Sequence, residues 1–369
     1  MPDRPGHHQP DVANPNVGPL HLDHLIVTGG CGFIGSNFIR FLRNARPAAR
    51  ITNIDCLSYS GNLENLAGLE HDDHYRFIKA DICDAAAMRH ALAGADAVIH
   101  FAAESHVDRS LMDSRPFIQT NVLGTQTLLD AAQQAKVRRF VHVSTDEVYG
   151  SLPLDRPDLR FTETSPINPS SPYAASKAAS DLLVHAFHHT FGLDTVITRC
   201  SNNFGPYQFP EKVIPLFVTN LLEGKQVPLY GDGLNVRDWI HVDDHCEAIL
   251  AVLERGRAGA VYNIGADNEH SNLDLTHSLL RVMGKGTDFI RHVQDRPGHD
   301  RRYAIDSSRI ASELGWRATR SAWPQALEAT VQWYRTNQTW WQHIRSGEYR
   351  HFYDTLYGRR PEAHKPAAR

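Results

Sequence analysis

Thr28-Gly29-Gly30-Cys31-Gly32-Phe33-Ile34-Gly35 decides how the rest of the chain is read. It follows an apolar run, Leu25 to Thr28, and opens a helix-compatible stretch, Ile34 to Asn44. A glycine-rich turn in that setting lets the backbone double back, admits a pyrophosphate close to it, and offers the phosphates the free amides of a helix N-terminus. Asp55 ends the next apolar run, Ile51 to Asp55, 20 residues after Gly35. That is where a carboxylate for the adenosine ribose hydroxyls is expected. No Arg or Lys follows Asp55 closely, so a 2′-phosphate would meet a bare carboxylate, and NAD is favoured over NADP. The alternative is a turn of this composition with no ligand, and strand, helix and acid together argue against it.

Outward from this unit, apolar runs recur at Arg76 to Ala80, Ala97 to Ala102 and Phe140 to Ser144, each followed by a helix-compatible stretch. Strand alternating with helix predicts an α/β fold, a Rossmann-like doubly wound parallel sheet. A helix from about Ser171 to Phe191 and a strand at Thr195 to Thr198 continue it. After Ser201 the rhythm breaks on Pro206, Pro210, Pro215 and Pro228 and on Gly205, Gly224, Gly231 and Gly233, which predicts a smaller mixed C-terminal substrate lobe. The expected division is a flexible arm at 1–22, an NAD-binding unit with the catalytic residues at 23–200, a mainly substrate-binding lobe at 201–357, and a loose tail at 358–369. Part of the later chain is expected to return to the first unit.

Bulk properties narrow the class. Of the 369 residues, 41% are hydrophobic and 22% charged, which excludes collagen-like, coiled-coil and wholly disordered chains. With 38 Lys+Arg against 42 Asp+Glu and no basic run, nucleic acid is not an expected partner. No apolar stretch is long enough to span a bilayer, and the first 22 residues carry no apolar block, so neither a membrane anchor nor a signal peptide is expected. Cys31, Cys56, Cys83, Cys200 and Cys246 are widely spaced and lack a Cys-x-x-Cys pair. Reduced thiols in a cytoplasm are the expectation.

Two further patterns carry chemistry. Tyr-x-x-x-Lys occurs at Tyr75/Lys79 and at Tyr173/Lys177. The first pair falls on a predicted strand, where four residues span about 13 Å and the side chains act apart. The second falls on a predicted helix, where i and i+4 share a face and an ammonium can favour a phenolate. Its alternative is a solvated helix face. Thr145-Asp146-Glu147 follows the run Phe140 to Ser144, placing two acids at the carboxyl end of a buried strand, where open α/β sheets hold their ligands. Spacing alone says that such neighbours differ in pKa, not which is the acid. His185 and His189 share a helix edge, but no third ligand is implied, and no metal site is expected.

Four more segments complete a pattern: Phe101-Ala102-Ala103-Glu104-Ser105-His106-Val107-Asp108, Arg199 to Gln208 (Arg-Cys-Ser-Asn-Asn-Phe-Gly-Pro-Tyr-Gln), Arg237-Asp238-Trp239, and Asp295-Arg296-Pro297-Gly298-His299-Asp300. From about His24 to Trp316 the chain resembles the extended short-chain dehydrogenase/reductase family, and within it the dehydratases of dTDP-glucose. The adjacent acid pair and the Arg-Pro-Gly-His segment are the most specific elements, since the related 4-epimerases and decarboxylases typically lack the pair. Phe101 stands where Leu is common, and Cys56 and Ser58 replace the usual residues after the ribose acid.

The resemblance implies a reaction of three steps: oxidation at C4, loss of water across C5 and C6, and return of the hydride to C6. Tyr173 takes the C4 hydroxyl proton with Thr145 beside it, and Lys177 tunes the tyrosine, with the nicotinamide charge, toward neutrality. Glu147 is the C5 base and Asp146 the C6 acid. Cofactor contacts are implied at Gly29, Gly32, Phe33, Ile34, Gly35, Asp55, Ser58, Asp81, Ile82, Phe101, Ala102, Ala103, Ser105, Thr120, Tyr173, Lys177 and Asn203. The nucleotide sugar falls to Ser105, Thr145, Asn202, Lys212, Pro228, Tyr230, Arg237, Asn272, Arg296 and His299, with Arg237 foremost for the diphosphate. As alternatives, Arg237 is a surface ion-pair partner and Asn272 a helix cap. A homodimer through helices near 113–136 and 171–191 is also implied. Competing readings are a dehydratase of UDP-glucose, a nucleotide-sugar 4-epimerase, and a dinucleotide-sensing regulator, against which the Tyr/Lys pair stands.

Overall fold

The computed structural model describes residue 20 and residues 22–345. The tail expected at 358–369 lies outside the described residues, as does the arm at 1–22 apart from Leu20 and Leu22. Six strands fall at or within a few residues of the predicted runs: β1 (His24–Thr28), β2 (Arg50–Asp55), β3 (Tyr75–Lys79), β4 (Ala97–His100), β5 (Arg139–Thr145) and β6 (Thr195–Cys200). Later come β7 (Asn202–Phe204), β8 (Val227–Tyr230), β9 (Val236–His241), β10 (Val261–Ile264), β11 (Glu269–Ser271) and β12 (Ile290–Val293).

β10, β6, β5, β4, β1, β2 and β3, in that order, form one seven-stranded sheet, and its pairings are parallel. Successive side chains of a strand point to opposite faces, and here both faces are buried. Ile26 and Val98 join a core with Leu128, Val184 and Phe187, while Leu25, Val27 and Ile99 join another with Phe38, Leu42 and Ile249. The strand order reverses between β1 and β4. At such a switch point the chain leaves neighbouring strands in opposite directions and opens a crevice at their carboxyl ends.

β4 stops at His100, short of the expected Ala102. Its ladder partner has already turned away at Gly29, whose φ is +70°, so only Phe101 N–H still reaches the Thr28 carbonyl, at 3.0 Å. The helix Pro172–Phe191 begins one residue after the expected start, because Ser171 caps it by accepting the Ala174 N–H at 3.1 Å. Beyond β6 the chain builds a second core from Phe204, Phe217, Trp239, Leu279, Leu327 and Trp341. Before doing so fully it returns to the first: β10 extends the large sheet beside β6, and the helix Val242–Arg255 packs on the helix Phe33–Ala45.

Candidate active site

The glycines of the turn answer two different needs. At Gly29 a side chain would meet the Ala102 backbone N at 2.6 Å, and at Gly35 it would meet the Gly29 carbonyl at 2.3 Å. Both are close approaches of backbone to backbone. Gly32 differs: its only neighbour would be the Gly29 carbonyl at 3.3 Å, so a Cβ there would project into the cavity. Gly32 also stands at the N-terminus of Phe33–Ala45, where no side chain caps the helix. This is a cradle of amide donors with room for a diphosphate. Asp55 at the end of β2 accepts the N–H of Cys31 at 2.9 Å and of Leu57 at 2.8 Å; burial raises its pKa against those two bonds. Among the described residues the cations lining this cavity are Lys177 and Lys212, which lie away from β2 in the chain, so the donor set fits a dinucleotide without a 2′-phosphate.

All residues expected at the cofactor, from Gly29 to Asn203, line this one cavity, together with Thr145, Asp146 and Glu147. β5 ends in a helical turn, Asp146–Tyr149, capped by Thr145, whose Oγ1 accepts the Glu147 N–H at 3.3 Å. Gly150 closes it at φ +85°, where a Cβ would strike the Asn168 carbonyl at 2.3 Å. Two adjacent acids are thereby held at the strand end in different surroundings. Asp146 is 2% exposed, and its Oδ2 has no hydrogen-bond partner. Burial, and then the Glu147 charge, push its carboxyl well above the usual carboxylate range. Glu147 is also raised by burial, but Arg296, Lys212 and Arg237 all pull against that shift.

Lys177 donates to the Val143 carbonyl at 2.9 Å, and burial lowers its pKa to about 8. Tyr173 lies on the same helix face. Its phenol is pushed well above its ordinary value, first by burial and then by the Glu147 charge, with the Thr145 hydroxyl opposing. The decoy pair behaves as its strand position implies: Tyr75 accepts a hydrogen bond from Asn53 at 2.9 Å, and Lys79 points to solvent.

A second cavity is lined by Asn202, Lys212, Pro228, Tyr230, Arg237, Asn272, Arg296 and His299, and it shares Glu147, Asn202, Glu211 and Lys212 with the first. Of the expected substrate residues, Ser105 and Thr145 line the first cavity and not the second, and Asn202 and Lys212 line both. Arg237 is 5% exposed, which removes the surface ion-pair alternative. It donates to the Val236 and Asp300 carbonyls at 2.7 and 2.9 Å, and its guanidinium carbon lies 4.1 Å from the Tyr303 ring centroid. Arg296 donates to Asp108 at 3.3 Å and keeps a buried Nε without a partner. Asn272 is the first helical residue, and the cap is Ser271, whose Oγ accepts the Asp274 N–H at 3.0 Å.

Sequence reasoning missed several lining residues. Glu104, Glu211 and Tyr303 belong to no spacing motif, although Glu104 lies within the segment Phe101 to Asp108 and Glu211 adjoins Lys212. His185 and His189 are exposed on their helix, and among the described residues no group of His, Cys, Asp and Glu could hold a metal ion.

The family described as GDP-mannose 4,6 dehydratase matches residues 26–323. A dTDP-glucose 4,6-dehydratase of Streptomyces niveus is 52% identical over 326 residues, covering 87% of this chain and 96% of that protein. The structure of a dTDP-glucose 4,6-dehydratase from Streptomyces venezuelae, solved with NAD and a dTDP ligand bound, superposes with a TM-score of 0.84 at 53% identity, over 87% of this chain and 99% of that one. A UDP-glucose 4-epimerase of Thermotoga maritima reaches a TM-score of 0.78 at 28% identity, over 85% and 99%. The fold is therefore common to dehydratases and epimerases, whereas the higher identity lies on the dehydratase side, and the chain belongs to the 4,6-dehydratase family of extended short-chain dehydrogenase/reductases.

Proposed function

We propose that the chain catalyses the NAD-dependent dehydration of dTDP-glucose to dTDP-4-keto-6-deoxyglucose and water. One observation carries this over an epimerase: two adjacent buried carboxyls at the strand end, of which Asp146 is raised by burial and by its neighbour's charge, while three cations oppose the rise of Glu147. Eliminating water needs an acid at the C6 oxygen and a base at C5, whereas a 4-epimerase needs only the base at its C4 hydroxyl. Relatives of about 52% identity with this activity support the substrate.

The C5 proton of a hexose is not acidic until C4 is a ketone. Bound NAD supplies the hydride acceptor for that oxidation, a cationic ring beside the tyrosine, and the hydride returned to C6. Tyr173 accepts the C4 hydroxyl proton, and Thr145 holds the same oxygen. Lys177 adds a positive charge below the phenol, which in the ligand-free protein the Glu147 charge opposes. Glu147, whose burial-raised pKa is opposed by Arg296, Lys212 and Arg237, removes the C5 proton. Asp146, kept protonated by burial, delivers a proton to the C6 oxygen as it departs as water. Arg237 and Arg296 take the diphosphate, since planar guanidinium forks match its oxygens. Lys212, whose Nζ donates to the Ser105 carbonyl at 2.7 Å, draws the two linings together and restricts water.

The residues at 23–200 carry cofactor and catalysis, those at 201–357 mainly the nucleotide sugar. Five free cysteines fit a reducing cytoplasm, and among the described residues no helix is long and apolar enough to cross a membrane. Glu147→Gln tests the reading: NADH should accumulate on the enzyme after dTDP-glucose is added, seen by its near-ultraviolet absorbance. The alkali-induced ultraviolet band of the 4-keto product should fall by at least about a hundredfold, the usual contribution of a general base. Normal dehydration by this variant would remove Glu147 from the mechanism. UDP-glucose run in parallel measures the base preference.

A further inference from the structure

We infer that Trp340 is a positioning residue for the cofactor, acting on the glycine-rich turn through Asn65, 275 residues away in the chain. The inference rests on the reading that this turn holds NAD. Neither residue lines either cavity. Trp340 lies on the helix Gln338–Ile344 and belongs to the second core, while Asn65 lies in the short helical turn Leu63–Leu66 after β2.

The indole Nε1 of Trp340 donates to Asn65 Oδ1 at 2.9 Å, and both residues are buried. An indole N–H can only donate, so it settles which end of the asparagine amide faces it. The other end, Nδ2, then points to the Cys31 carbonyl and donates to it at 2.9 Å. Cys31 stands between Gly30 and Gly32, and its own N–H donates to Asp55 Oδ2 at 2.9 Å. A continuous relay thus runs from Trp340 through Asn65 and Cys31 to the ribose carboxylate. Two contacts brace it. Arg40 Nε donates to the Asn65 carbonyl at 2.7 Å, and its guanidinium carbon lies 5.0 Å from the centroid of Tyr207, which packs edge-on against Trp340 at 5.7 Å.

Glycines have no side chains with which to fix their own conformation, so a turn of four in eight residues takes its rigidity from what holds it outside. Here the outside support comes from the core that also carries the sugar cavity. A reaction in which hydride leaves and returns within one cycle requires the dinucleotide to stay bound throughout. The relay meets that need without touching the reacting atoms.

The test uses the purified holoenzyme. Trp340→Phe keeps the ring and deletes the donor, and Asn65→Ala deletes both bonds. Exchange of bound NAD against an excess of isotopically labelled NAD should be about tenfold faster in each variant, the factor expected from one lost buried hydrogen bond. The double variant should be no faster than Asn65→Ala, because the two residues act in series. Activity lost on dilution should return with added NAD, and the KM for dTDP-glucose at saturating NAD should be unchanged. Wild-type exchange rates in both variants, or a loss that NAD does not restore, would overturn the inference. If wild-type enzyme yields no dinucleotide on deproteinisation, the cofactor reading itself fails. Should Trp340→Phe not fold, Asn65→Asp gives the same readout: it keeps the acceptor for the indole and sets a carboxylate oxygen against the Cys31 carbonyl.

Discussion

Asp146 and Glu147 are neighbours in the chain with opposite electrical surroundings, and the difference is measurable without substrate. Asp146 has its folded pKa raised above the ordinary carboxylate value by burial and by the Glu147 charge. A raised acid favours the fold while protonated, so its contribution is complete below the unfolded pKa, about 4, and is lost as pH rises toward the folded value. Asparagine has nearly the same shape and no such titration. Asp146→Asn should therefore match wild-type stability near pH 4 and become the more stable protein as pH rises toward about 8, read from urea midpoints along the series. Parallel curves would mean that Asp146 is ionised in the folded protein, and its assignment as the acid would fall. The same substitution removes the proton donor, so dehydration should drop while stability climbs.

At the scale of elements, the helical run after β4 is the piece that sets the nicotinamide side against the tyrosine helix. A π-helical stretch, Ile118–Gly124, separates the short helix Arg115–Phe117 from Thr125–Ala135 and carries Asn121, buried at 1% exposure. Its Oδ1 accepts the Glu104 N–H at 2.8 Å, and its Nδ2 donates to the Glu104 carbonyl at 3.0 Å and to Ser176 Oγ at 2.8 Å. Glu104 follows β4, and Ser176 sits one residue before Lys177. Asn121→Ala leaves the part-buried N–H and carbonyl of Glu104 without this partner, and about 1 kcal/mol of stability should go with each, measured by denaturant titration. The rate should fall more than the KM, because what slips is the alignment of catalytic groups. Tm and kcat both at wild-type values would show that this link is redundant. What the sequence made readable follows from such distances. The glycine turn, Asp55, the acid pair and Tyr173/Lys177 are local patterns whose spacing carries their geometry. Asn121, Glu211 and Tyr303 depend on contacts tens of residues apart, and no period of 2 or 3.6 encodes those. The tyrosine's pKa was also beyond spacing, since its direction is set by burial and by the Glu147 charge.

At the scale of the whole molecule, the described residues leave several large apolar side chains exposed on neighbouring helices. Met112, Ile118, Leu123, Leu182 and Phe191 are all exposed, on the helices Val107–Met112 and Pro172–Phe191 and on the helical run between. Single exposed apolar side chains are ordinary, but here they gather on helices that pack against one another. A second copy related by a two-fold axis would cover the patch with itself, which is how most homodimers are built. The consequence reaches the active site, because Tyr173 and Lys177 ride on Pro172–Phe191. The expected species is therefore a dimer by light scattering, with a Tm that rises with protein concentration. Leu123→Glu combined with Leu182→Glu places two carboxylates on the patch in each protomer, and so four across the interface. That variant should run as a monomer with an unchanged far-ultraviolet spectrum, a Tm independent of concentration, and reduced turnover from a loosened tyrosine helix. A wild-type protein monomeric at micromolar concentration would assign the patch some other cover, and a monomeric variant with full turnover would show that the catalytic helix needs no partner.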